Sequence, residues 1–179
     1  DSSSTSGKGG KIEVLGGAVS VETGARLDVS GASGGGTILV GGNLRGQGPQ
    51  ANAKTAMVGE AILNADATRE GDGGTIVVWS DQATSFAGAA SAKGGAAGGN
   101  GGLIETSGHS LSVKPSASVN TSAPKGQTGN WLLDPDFIFI QNGGNTTIRP
   151  SGTILSTDRP GQSDFIDPNN LAKIGRAHV

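Results

Sequence analysis

The sequence predicts an all-β fold, a right-handed parallel β-helix of about four coils of 26–38 residues, on three observations. A glycine-rich corner followed by a short apolar stretch recurs along the chain: "GGKIEV" at Gly9, "GGTILV" at Gly35, "GDGGTIVVWS" at Gly71, "GGLIET" at Gly101 and, more loosely, "GNWLLD" at Gly129. With Gly10, Gly36, Gly74, Gly102 and Asn130 as origins, the steps are 26, 38, 28 and 28 residues, the period of a solenoid. The first and fourth units align without gaps, residues 9–32 on residues 101–124, with nine of 24 positions identical. That alignment sets Ile12 over Ile104, Val19 over Leu111, Val21 over Val113 and Leu27 over Val119. Within a unit the apolar residues alternate in three short stretches, Ile12 and Val14, Val19 and Val21, Leu27 and Val29. Alternation of this kind marks strands with one buried face.

Three such strands separated by Gly, Ser, Thr, Asp or Pro make one coil, and each pairs with its equivalent one turn along, about 4.8 Å away. Equivalent residues therefore stack. Ile12, Ile38, Ile76, Ile104 and Leu132 are expected to form one inward ladder, and Val14, Val40, Val78 and Thr106 its neighbour. Each buried Ile or Val contributes about 1.5–3 kcal/mol before conformational entropy is counted. The glycines make the corners, where positive φ is expected, and Asp72 is expected to cap the turn before "TIVV". A second motif marks the third side of each coil: "ARLDVSGA" at Ala25, "AILNADA" at Ala61, "GAASAKG" at Gly88 and "ASVNTSA" at Ala117. Its Asp28, Asn64, Ser91 and Asn120 fall at equivalent places and are expected to stack as a polar ladder.

The second unit is long because of an insertion, "RGQGPQANAKTAM", at about residues 45–57. Loops grafted on solenoids often carry specificity, which makes Arg45 and Gln47 candidate binding residues. On the outward side of the first strand stand Lys11 and Glu13, then Leu39, Val77 and Glu105. Leu39 and Val77 are apolar where solvent is expected, so the insertion is expected to fold over them; the rival reading makes them candidate binding residues of an exposed apolar strip. Residues 1–140 are thus read as the β-helix and residues 141–173 as an irregular, loop-rich segment with a short helix opened by Asp167 and Pro168. Residues 174–179, "IGRAHV", are what one frame of a common short-read sequencing adapter, ATCGGAAGAGCACACGTC, encodes. They are identified as non-biological, and Arg176 and His178 receive no functional weight. The start at "DSSSTSGKGG", without Met or signal peptide, is read as a cut within a longer gene.

Composition narrows the classes further. Glycine supplies 33 of 179 residues and aromatics 3%, which argues against a helical bundle, whereas 34% hydrophobic residues recurring in register argue against disorder. Net charge is −2 without a Lys/Arg cluster, so nucleic acid is not an expected partner. The absence of Cys removes a disulfide framework and Cys-based zinc sites. No run approaches the roughly 20 apolar residues that span a bilayer as a helix.

Catalysis by a β-helix needs carboxylates, or a carboxylate and a base, converging within a few ångströms. Glu13 and Glu105 share a rung position but lie three coils apart, about 14 Å at the strand spacing, and Asp72, Asp81 and Glu60 are scattered. No catalytic residue is assigned. His109 sits in "SGHS" without a partner at ligand spacing and is read as a solvated turn histidine. The strings "GGAAGGNGG" and "GDGG" lack the repeated aspartate of calcium-binding nonapeptides, and "GKGGK" lacks the spacing of a phosphate loop. No metal or cofactor is expected. Trp79 and Trp131 are read as coil caps or surface packing in preference to sugar platforms, and Asn120 and Asn145 open weak N-glycosylation patterns.

Residues 9–173, through "VGGNLRG", "GDGGTIVVWSD", "GGNGGLIETSG" and "LLDP" in combination, resemble the segment after the secretion domain of filamentous-haemagglutinin-like exoproteins of the two-partner secretion pathway. The resemblance implies export through the inner membrane and passage across the outer membrane of a Gram-negative bacterium by a partner β-barrel transporter. It implies display or release as a filamentous adhesin that meets a host or bacterial surface receptor or glycan. The family's secretion domain, with its Asn-Pro-Asn-Leu signature, is not in this chain. The reading is therefore a structural and adhesive segment of a secreted exoprotein. Alternatives are the stalk of a contact-dependent growth-inhibition toxin, which a downstream toxin domain would select, and a carbohydrate-active β-helix enzyme, which a carboxylate cluster in a groove would select.

Overall fold

A chain that turns every few residues and stacks on itself must bring backbone against backbone at its corners, and the paired glycines stand where this happens. The computed structural model describes residues 1–135 together with the backbone of two short strands, Phe139–Ile140 and Phe165–Ile166. The chain forms a β-solenoid of about four coils in which every strand pairing is parallel. The first side stacks β1 (Lys11–Val14), β4 (Thr37–Val40), the first part of β7 (Thr75–Phe86), the first part of β9 (Leu103–Val113) and β11 (Asn130–Leu132). The second side stacks β2 (Ala18–Val21), β5 (Thr55–Val58) and the later parts of β7 and β9. The third stacks β3 (Arg26–Asp28), β6 (Ile62–Asn64), β8 (Ala89–Ser91) and β10 (Ser118–Asn120). The two short strands near the C-terminus, β12 (Phe139–Ile140) and β13 (Phe165–Ile166), pair with each other. The expected irregular segment at 141–173, apart from β13, and the adapter-like residues 174–179 lie outside the described residues.

Each corner from the third side back to the first repeats the same bonds. The amide of the second small residue donates to the carbonyl that ends the third side: Gly36 to Val29 at 2.8 Å, Gly74 to Ala65 at 2.7 Å, Gly102 to Ala92 at 2.8 Å and Gly129 to Thr121 at 2.8 Å. The carbonyl of that glycine then accepts the first strand amide of the next coil, as in Thr75 N–H to Gly36 at 2.9 Å and Leu103 N–H to Gly74 at 3.0 Å. A Cβ at Gly36 would run into the Gly10 carbonyl oxygen, one at Gly74 into that of Gly36, and one at Gly102 into that of Gly74. These corner glycines do not adopt the left-handed φ expected from the sequence; they are required by the closeness of the stacked backbones. Left-handed glycines occur elsewhere, for example Gly24 and Gly71.

The inward ladder runs Ile12, Ile38, Ile76, Ile104 as expected, with Val14, Val40, Val78 and Thr106 beside it. At the fourth step it departs: Ile104 pairs with Trp131, and Leu132 pairs with Glu105 on the outward column. The stacked corner glycine of the last coil is Gly129, not Asn130, so this coil has 27 residues and a one-residue offset exchanges inward for outward faces. Trp131 and the buried Leu133 therefore close the C-terminal end of the core, and Trp131 Nε1 donates to Thr106 Oγ1 at 2.9 Å. Core volume is traded between sides. Ala90 stands where the coil before it has Leu63, while Phe86, fully buried, stands where that coil has Val58. Buried hydroxyls satisfy each other, with Ser80 Oγ and Thr84 Oγ1 2.8 Å apart and Thr84 Oγ1 donating to the Ser107 carbonyl at 2.7 Å.

Gly74→Ala is expected to cost about 3 kcal/mol or more, because its Cβ meets backbone that must shift as a unit. Gly17→Ala, whose Cβ would have nothing within 4 Å, is expected to be near neutral. Urea unfolding of both variants checks this, and equal midpoints would contradict the corner's role.

Candidate functional site

Among the described residues the one large departure from coil regularity is the loop at residues 41–54, which leaves β4 and returns at β5; Thr55–Met57, expected within the insertion, belong to β5. The loop begins at Gly41, in left-handed conformation, and carries a short 3₁₀ turn, Leu44–Gly46, that packs on β7. Its backbone rides on Trp79 and bonds to Glu105, the residue that continues the outward column of Leu39 and Val77. Leu39 and Val77 are buried, which favours the covered reading over an exposed apolar strip, and neither belongs to the solvent-facing surface. Arg45 and Gln47 are exposed.

Backbone bonds tie the loop's ends, as in Asp81 N–H to the Ala53 carbonyl at 2.9 Å, and side-chain contacts hold its middle down. A Cβ at Gly46 would meet the Trp79 indole within 2.7 Å, so the loop backbone rides directly on the ring. Asn52 Nδ2 donates to the Gly46 carbonyl at 3.0 Å and to Asp81 Oδ1 at 2.8 Å, and the same Asp81 oxygen accepts Trp79 Nε1–H at 3.2 Å. The Arg45 amide donates to Glu105 Oε2 at 2.9 Å, a bond that reaches from the second coil over the third to the fourth. Glu105 has 0% exposure and its Oε1 finds no partner among the described residues, nor does the buried Asn52 Oδ1. Burial pushes the Glu105 carboxyl above its ordinary range, against the lowering effect of the Arg45 N–H, and nearby Asp134 adds to the rise. Nothing in the sequence marks Glu105 as buried, because the loop that covers it is inserted 60 residues earlier.

The third side carries the expected polar column, Asp28, Asn64, Ser91 and Asn120, in register. Asn64 Nδ2 lies 3.3 Å from Asp28 Oδ1, and the side chains of Asp28, Asn64 and Asn120 accept the amides of Ser30, Asp66 and Ser122 at 2.9, 3.1 and 3.0 Å. These are Asx turns in the first, second and fourth coils; in the third, Ser91 Oγ donates to Asp66 Oδ1 at 2.6 Å and that oxygen accepts the Lys93 amide at 2.8 Å. Burial alone would raise the Asp28 carboxyl, but hydrogen bonds from Ser30 and Arg26 and the Arg26 charge hold it below its ordinary value. Asp72 does cap a turn, though the one above it: Asp72 Oδ1 accepts the Asn100 amide at 2.7 Å, and Asn100 Oδ1 in turn accepts the Gln127 amide at 3.0 Å.

The remaining chemistry-bearing residues are spread out. Glu13 and Glu105 occupy one column three rungs apart, and Glu13 is paired with Lys11 at 2.8 Å. His109 is half-buried within β9, at the bend where one residue faces two, Asp81 and Gln82, on β7. Among the described residues no group of three His, Asp or Glu gathers as a metal centre, and no helix is long and apolar enough to cross a membrane. No protein-family model and no curated protein matches the chain.

Asn52→Ala removes the bond that ties the loop to Asp81 and the one that closes it internally on the Gly46 carbonyl, together worth about 1 kcal/mol net. Amide exchange across residues 41–54 is expected to speed up roughly five- to tenfold, with the coil at β8 unchanged; equal protection in both proteins would contradict the anchoring role.

Proposed function

We propose that this chain is a structural and adhesive segment of a large secreted exoprotein, a β-helical shaft of filamentous-haemagglutinin type exported by two-partner secretion. The observation that carries the reading is the combination of an uninterrupted inward ladder with one long loop held outside it. A solenoid of this kind extends along one axis and presents the same three faces rung after rung, the property a spacer needs. The loop is added without disturbing the register of Ile38 with Ile76, so its exposed residues can vary while the shaft stays constant. The family resemblance of the "VGGNLRG", "GDGGTIVVWSD" and "LLDP" strings supports the same assignment. Its partners would be an outer-membrane transporter, acting on sequence outside this chain, and a receptor or glycan on a cell surface met through Arg45 and Gln47.

Beads coated with the full chain test the adhesive half of this reading. Adhesion to epithelial cells or erythrocytes is expected to exceed that of beads carrying the Arg45→Ala, Gln47→Ala double variant by at least severalfold. Equal adhesion of both beads would remove the loop as the adhesive element, and no adhesion at any coating density would leave the segment as shaft alone.

A further inference from the structure

We propose that Glu105 is a pH-sensitive latch for the loop at residues 41–54: its carboxyl, bonded to the Arg45 amide, stays buried under the closed loop as the neutral acid, and the cost of burying its charge favours an open loop once it ionises. The geometry carries this. Glu105 is the one side chain of the fourth coil that the loop's backbone is bonded to through Arg45, at 2.9 Å. Arg45 adopts φ 54°, the left-handed region that residues other than glycine rarely occupy, and in this conformation its N–H reaches Oε2. Glu105 Oε1 makes no hydrogen bond of ordinary geometry among the described residues and the carboxyl is fully buried, so an ionised carboxylate there is dry and under-satisfied even with the Ser107 hydroxyl nearby. A closed loop thus favours the neutral acid, while an open loop, which admits water, favours the anion.

The groups that face this carboxyl are few. Burial opposes the anion most strongly; the Arg45 amide, the Ser107 hydroxyl on the same strand and the Arg45 charge favour it, Asp134 beyond β11 opposes it, and the column neighbours Val77 and Leu132 do not titrate. The folded carboxyl sits above its ordinary value of 4.5. The closed state therefore binds more protons than the open one, and closure is strongest in acid. It weakens as pH rises from about 4.5 through the raised value, by at most tenfold per pH unit for one proton. An acid-closed loop would shield its apolar floor in acidic surroundings and release Leu39, Val77 and Trp79 for contact nearer neutrality.

Hydrogen exchange of the full chain from pH 4.5 to 8, corrected for intrinsic rates, tests this. The opening ratio of residues 41–54 is expected to rise several-fold over the range while that of β8 stays flat. Glu105→Gln, which keeps an acceptor for the Arg45 amide without a titrating charge, is expected to abolish the rise. A flat profile in the unsubstituted chain, or a rise that survives in Glu105→Gln, would overturn the latch. If Glu105→Gln does not fold, Asp134→Asn on the exposed side decides: the midpoint moves to lower pH if Glu105 is the titrating group and stays in place if it is not.

Discussion

The approach of one backbone to the next at the glycine corners is the constraint on which the rest of this solenoid depends. At each corner a single carbonyl does two things: it accepts the first strand amide of the following coil, and it occupies the space a Cβ would need. A larger residue there would push the coils apart by more than a strand hydrogen bond tolerates. Register then follows from the corner, because the strand that begins one residue after it has its inward and outward faces decided at once. The isoleucine and valine ladders are consequences of this phase. They supply the stabilising burial, but they do not choose which residues stack.

Fixed phase also explains how the chain accommodates irregularity. The 41–54 loop leaves after β4 and returns at β5, between two corners, so it changes the length of the second coil without shifting Ile38 against Ile76. The coil has therefore room for a long excursion at low cost to its core. What the loop adds is a second layer on the outward face, with Trp79 as its floor and Glu105 as the distant anchor. Solvated carboxylates such as Glu13, in the same column but at the uncovered first coil, remain ordinary surface groups paired with lysine. One column thus carries two glutamates in opposite environments, and the difference lies entirely in what covers them.

Much of the fold was legible because its determinants are local. Paired small residues, two-residue alternation and a near-constant step are properties of neighbouring positions, and they place β1, β4, β7 and β9 in register correctly. The fifth rung departs from the expected register for a physical reason: in "TGNWLLD" both alternatives put apolar side chains inward, Leu132 in one and Trp131 with Leu133 in the other, and only the stacking of Gly129 on Gly102 decides between them. The need for glycine at the corners is likewise hidden, since sequence distinguishes poorly between a left-handed φ and a close contact. Covering of Leu39 and Val77 could be anticipated from their polarity mismatch, whereas the burial of Glu105 could not, because a glutamate on an outward face carries no such mismatch. The loop's function is likewise a property of what it touches.

The chain has no cysteine, so cross-linking between introduced pairs reads its register directly. Ser85 and Ser112 face each other on adjacent rungs of the second side, about 4.8 Å apart, within the reach of a disulfide. Ser110, two residues along the same neighbouring strand, lies beyond roughly 7 Å from Ser85, outside that reach. Mild oxidation of the Ser85→Cys, Ser112→Cys protein is expected to give rapid, complete intramolecular disulfide formation with the fold retained, and the Ser85→Cys, Ser110→Cys protein is expected to stay reduced. Preferential bridging of the second pair would contradict the stacking phase from which the core, the covered column and the loop all follow.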